Sequence, residues 1–118
     1  MNSNPFFIEY LLREVPDLKF LYDEHLLDNE TLLPHVFMGE VTRFVVSGAG
    51  NPQMHSSVSG LLKHLEAGLR TGSDTVRELI GVSFVENLIG ESTAIRALMP
   101  LMGPLLQREI ASVCLHNV

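Results

Sequence analysis

Along this chain apolar residues return every three or four positions, and alternation with a period of two never persists beyond a few residues. That spacing gathers apolar side chains on one face of a helix, so an all-α fold is expected. A first helix is predicted from about Pro5 to Glu14, with Asn4 as N-cap and Pro5 at the first helical position. Phe7, Tyr10 and Leu11 share one of its faces. Pro16 stops it, because the residue before a proline avoids the helical region. Asp17 is placed to cap a second helix, from about Leu18 to Leu27, with Leu18, Leu21 and Tyr22 inward.

A third helix follows Thr31, from about Leu32 to Val46, with Pro34 in its first turn. Its apolar stripe is Leu33, Val36, Phe37, Val41, Phe44 and Val45. The run Ser47-Gly48-Ala49-Gly50-Asn51-Pro52 leaves room only for a loop. The fourth helix, about Ser56 to Arg70, is the most regular, with Val58, Leu61, Leu62, Leu65 and Leu69 in register. Lys63, Glu66 and Arg70 are read as lying off that stripe, Glu66 and Arg70 as an i,i+4 pair, and Gly72 as the stop. The fifth helix spans about Asp74 to Ile89. Thr75 and Glu78 fit a capping box there, Ser73 competes as the cap, and Gly90 ends the helix. Beyond it, Pro100, Gly103 and Pro104 divide Ser92 to His116 into a short helix ending near Leu98 and a final helix from Pro104 to Leu115. The expected architecture is one irregular bundle of about six helices over residues 1–118, an arrangement that allows stacked antiparallel hairpins. No self-similarity at a fixed period marks a solenoid.

Composition narrows the classes. With 118 residues, 46% of them hydrophobic and 19% charged, the chain is long enough for one core and too apolar for disorder. Eight basic against fourteen acidic residues leave a net charge of −6, a balance that argues against nucleic-acid binding, which needs clustered Lys and Arg. The single cysteine, Cys114, excludes an internal disulfide. No apolar stretch reaches the roughly 20 residues of a membrane span, and no Lys or Arg precedes Phe6-Phe7-Ile8 as in a secretory signal. A cytoplasmic protein without membrane contact is therefore expected.

Candidate chemistry is sparse. His25, His35, His55, His64 and His116 show no His-Glu-x-x-His spacing and no paired Glu-x-x-His motifs, so they are read as scattered surface or interface residues rather than a metal site. His35 and His64 are the pair whose convergence with a carboxylate would change that reading. Cys114 and His116, two apart on a helix, face different directions. Gly48-Ala49-Gly50 follows a helix and has no Gly-Lys-Ser/Thr after it, so it is no phosphate cradle. On the fifth helix, Val76, Leu79, Ile80 and Phe84 form an inward arc that includes Ser83 and Asn87 and has Glu86 at its edge. These three polar residues are expected to be buried in a structural hydrogen-bond cluster, with Arg43 a candidate donor to Glu86. No catalytic residue, metal or cofactor is assigned, and the protein is expected not to be an enzyme.

Charge distribution points further. Between Glu9 and Glu30 lie seven carboxylates (Glu9, Glu14, Asp17, Asp23, Glu24, Asp28, Glu30) against Arg13 and Lys19, which leaves −5 of the total −6 in that segment. Such a segment is either a solubilising surface or a docking face for a basic partner. The docking candidates are Asp23, Glu24, Asp28 and Glu30, with Tyr22 as an anchor or a core residue.

Val82-Ser83-Phe84-Val85-Glu86-Asn87-Leu88, Glu14-Val15-Pro16 and Gly103-Pro104-Leu105-Leu106 together give the chain a family character. It resembles a group of small uncharacterised bacterial helical domains, similar in size to immunity proteins that neutralise toxins. That resemblance implies a helical fold and carries no catalytic residues. The expected function is a non-enzymatic binding protein, an immunity protein that masks a basic toxin domain through the acidic face. The alternatives are a self-associating adaptor, such as a homodimer, and a small-molecule or metal-binding enzyme.

Overall fold

The computed structural model describes residues 4–116, with side chains as far as Cys114, and helix follows helix throughout. The order is α1 (Asn4–Glu14), a 3-10 turn (Pro16–Leu18), α2 (Lys19–Asn29), α3 (Pro34–Gly48), a 3-10 turn (Pro52–Met54) and α4 (His55–Thr71). A rod then runs as α5 (Asp74–Glu78), a π segment (Leu79–Val85) and α6 (Glu86–Leu88). The chain closes with α7 (Ser92–Leu98), a 3-10 turn (Met99–Leu101) and α8 (Pro104–His116). Among the described residues there is no strand, and no helix is long and apolar enough to cross a membrane. The fold is all-α, as the periodicity predicts.

Local chemistry sets most boundaries. Val15 leaves the helical region (φ −129°, ψ 81°) before Pro16, which ends α1. Asp17 does not cap α2: it lies inside the 3-10 turn, and its carboxylate accepts a hydrogen bond from the Ser57 hydroxyl of α4. Pro34 occupies the first turn of α3. Between the two competing caps of the rod, Ser73 prevails, its hydroxyl accepting from the Val76 N–H at 3.3 Å. Gly90 takes φ +100°, a region that favours glycine, just beyond the rod.

The buried side chains form one cluster, with Ile8, Leu11, Phe37, Val41, Leu61, Leu65, Ile80 and Phe84 fully enclosed. The bundle is irregular. The main neighbour of α3 is the π segment, while α4 lies against α1 and α8. This packing rotates α3 relative to its predicted stripe: Phe37, Met38, Val41, Thr42 and Val45 are buried, whereas Leu33 and Val36 are exposed.

The π segment corrects the reading of the fifth helix. At 100° per residue, Asn87 belongs to the inward arc and Glu86 to its edge. A π turn takes up one extra residue, so every later side chain lags around the axis. Val85 and Leu88 therefore take the inward places, and Glu86 and Asn87 are exposed rather than buried. Ser83 is buried, as expected. Among the described residues no ion pair joins Glu86 to Arg43.

The buried carboxylate belongs instead to Glu66. It lies four residues after Leu62 on the same ridge of α4, and α8 packs over that ridge. Its Oε2 accepts from the Leu105 N–H and its Oε1 from the Leu106 N–H, both at 2.9 Å. Those amides open α8 and have no partner inside the helix. Glu66 thus caps a helix distant in sequence and meets the positive end of its dipole, and among the described residues no ion pair joins it to Arg70. Gly103 permits the approach: a Cβ there would sit 2.4 Å from the Glu66 Cδ.

Removing this cap strands the buried Leu106 amide and the part-buried Leu105 amide. Glu66→Ala is expected to lower stability by about 2–3 kcal/mol, and Gly103→Ala to destabilise through the clash. Urea denaturation of both variants checks this; midpoints equal to wild type would detach the carboxylate from the stability of α8.

Candidate functional site

The acidic segment folds into α2 and the turn that leads to α3. The inward side of α2 is held by His25, which is 1% exposed and stacks edge-on against Phe37 with centroids 5.5 Å apart. The Leu33 N–H donates to His25 Nε2 at 3.0 Å, so the ring proton sits on Nδ1. Nδ1 faces Glu40 Oε2 of α3 at 3.1 Å. Asn29 donates to the His25 carbonyl at 2.9 Å, and Glu30 turns the chain with φ +67°, a left-handed conformation. One imidazole therefore joins α2, the turn and α3. This is a core role rather than the surface role the sequence reading gave His25. The signal was present in the spacing, since His25 lies three residues after Tyr22 and seven after Leu18 on the inward arc.

Tyr22 is half-buried with its ring edge-on to Phe37 at 5.8 Å, which places it in the core rather than on a docking face. Asp23 is exposed and bonded to Lys19 at 2.9 Å. Glu24, Asp28 and Glu30 are exposed. Of these, Glu24 and Asp28 share one side of α2 and have neither a hydrogen-bond nor an ion-pair partner among the described residues. Like charges four apart on a helix repel. Beside them the outer side of α2 presents Phe20 (68% exposed) and Leu27 (83% exposed), apolar residues that the inward stripe does not explain.

Between α2 and α3 runs a groove of about 600 Å³. Phe20, Leu21 and Phe44 supply its apolar surface, and Asp17, Glu24, Asp28 and Glu40 supply carboxylates. Arg43 is its one cation among the described lining residues. A second cleft of about 430 Å³ lies between the α3–α4 loop and α7, lined by Pro52, His55, Val58, Leu98 and Leu101 among others, with no carboxylate.

The polar residues of the π segment tie helices together. The Ser83 hydroxyl meets His35 Nδ1 at 2.5 Å. The Ser83 carbonyl accepts from Asn87 Nδ2 at 2.6 Å and lies 3.3 Å from the Thr42 hydroxyl. A hydroxyl–imidazole pair is the start of an activated nucleophile, but Ser83 is 5% exposed inside a helix and leaves no open approach for a substrate. The pair anchors the start of α3 to the rod.

The remaining histidines stay apart. The Tyr10 hydroxyl meets His64 Nδ1 at 2.5 Å, and His64 Nε2 stands 3.9 Å from Glu14. His35 and His64 thus have separate partners. Among the described residues no group of three or more His, Cys, Asp or Glu can hold a metal ion. Cys114 is exposed, and the His116 side chain lies outside the described residues.

A family described as "Domain of unknown function (DUF7674)" matches residues 8–117, nearly the whole chain, and the chain belongs to that family. No curated protein matches it. No solved structure matches it.

The register of the rod makes a direct prediction. Glu86→Ala, at an exposed position, is expected to change stability by less than about 0.5 kcal/mol. Ser83→Ala leaves His35 without its partner and is expected to cost about 1 kcal/mol. Thermal unfolding of the two variants side by side decides it; a larger loss for Glu86→Ala would place that carboxylate back in the core.

Proposed function

We propose that this member of the DUF7674 family is a protein-binding module without chemistry of its own, and that its partner is basic. One observation carries the reading: α2 holds two carboxylates, Glu24 and Asp28, that have no partner among the described residues, on the side where it exposes Phe20 and Leu27. Exposed apolar side chains give a partner surface to bury, and the carboxylates select its charge. Tyr22 is withdrawn from this face, and Phe20 takes its place as the aromatic anchor. Asp23, neutralised by Lys19, and Glu30 flank it.

The finer form of the proposal is an immunity function. The active site of a nuclease toxin is positive because its substrate is negative, and an acidic helix can occupy it as a substrate mimic. Self-association through α2 is the weaker alternative. A two-fold contact there brings each carboxylate pair towards its own copy, where like charges repel.

The test begins with a pull-down from a lysate of the native host, followed by binding kinetics with the captured partner. Association is expected to slow as salt rises, because screening shortens the reach of surface charge to about 8 Å at physiological ionic strength. Dissociation is expected to change less. Charge reversal at Glu24 and Asp28 is expected to abolish the fast association. Affinity and salt dependence that survive the reversal make α2 a solubilising surface only.

Stability is expected to move in the opposite direction. Glu24→Gln with Asp28→Asn relieves the repulsion between them, so the unbound protein gains about 0.2–0.5 kcal/mol. A loss of stability in denaturant titration would show that the fold uses these carboxylates.

A further inference from the structure

We infer that the groove between α2 and α3 takes a basic amphipathic helix of the partner, laid along the groove as a third helix against the pair. This rests on the protein-binding reading above and adds the shape and chemistry of what binds.

The groove is walled by two helices whose backbone amides and carbonyls are already paired. It therefore offers no ladder to an extended strand, and its recognition surface consists of side chains. Phe20, Leu21 and Phe44 lie in its apolar part. From Phe20 to Asp28, α2 advances about 12 Å, roughly two turns, a length that a short helix matches with apolar residues at i, i+3 or i+4, and i+7.

Charge fixes the sign of the occupant. Among the lining carboxylates, Asp17 already binds Ser57, and Glu40 holds His25 with its Oε2. Glu24 and Asp28 have no hydrogen-bond or ion-pair partner among the described residues, and both line the groove, spaced to meet two cations on one side of an incoming helix. Arg43, across the groove on α3, forms no ion pair among the described residues. It repels a cation placed beside it, so the occupant's basic residues belong on the α2 side. An acidic or neutral helix would leave Glu24 and Asp28 uncompensated as it covers them, a loss that a basic helix avoids.

The probe is a synthetic three-turn helix, capped at both ends, with leucines on one face and arginines and lysines along its border. Its binding is followed by fluorescence anisotropy at physiological salt, and its position by amide chemical shifts. The expected result is shifts concentrated in α2 and α3, with affinity reduced about tenfold by Phe20→Ser and about tenfold by Glu24→Gln with Asp28→Asn. Glu78→Gln with Glu91→Gln removes the same charge from other exposed positions and is expected to leave affinity within about twofold. Equal binding by a scrambled peptide of the same composition overturns the inference, as does an equal loss in the control variant or a shift map centred elsewhere. If the helix fails these tests while Phe20→Ser still weakens the captured partner, only the helical occupant is wrong. If Phe20→Ser and the Glu24/Asp28 variant leave both ligands unaffected, the protein-binding reading falls as well.

Discussion

The Glu66 carboxylate, turned towards the two amides that open α8, is the contact on which the arrangement depends. It fixes where α8 begins and how it lies across α4. From there α8 packs against the π segment, the π segment against α3, and α3 against α2. A buried carboxylate is tolerated because both its oxygens accept from backbone donors that would otherwise lack partners. Gly103 completes the fit by leaving space where a side chain would collide with Glu66.

The π segment shows how one extra residue in a turn redistributes chemistry. Val76 in α5, with Leu79 and Ile80 where the π segment begins, keeps the α-helical spacing and is buried with them. Val85 at its end and Leu88 beyond it take the inward positions, while Glu86 and Asn87 face solvent. The Ser83 carbonyl at this turn is met by Asn87 from its own rod and by Thr42 from α3, so the irregular turn serves as the attachment point for its main neighbour.

Around α2 the requirements of the fold and of the outer face differ. The inner side is closely specified: His25 bridges Leu33 and Glu40, and Tyr22 and His25 both stack on Phe37. The outer side does little for the fold, exposing two large apolar residues and holding two like charges one turn apart. Local rules broken without benefit to folding are expected where a surface serves a partner. The rigid inner side would hold such a surface in shape before anything binds, which limits the ordering cost of association.

Much of this could be read in one dimension. The all-α class, the helices to within a few residues, the breaks at Pro16, Gly72 and Pro104, the buried Ser83 and the concentration of acid before Glu30 all follow from local pattern, because helix formation and chain breaking are decided by near neighbours. Other features depended on partners far along the chain. Glu66 looked like a solvated residue until α8 covered it from 39 and 40 residues away. Glu86 and Asn87 looked buried until a π turn, stabilised by packing against α3, shifted the register. His25 looked like surface until α3 closed over it. The groove beside Glu24 and Asp28 exists only because α2 and α3 lie side by side. Sequence determined which residues carry charge and apolar surface on each helix; tertiary packing decided which of them water still reaches, because burial is a property of the neighbouring helix as much as of the residue itself.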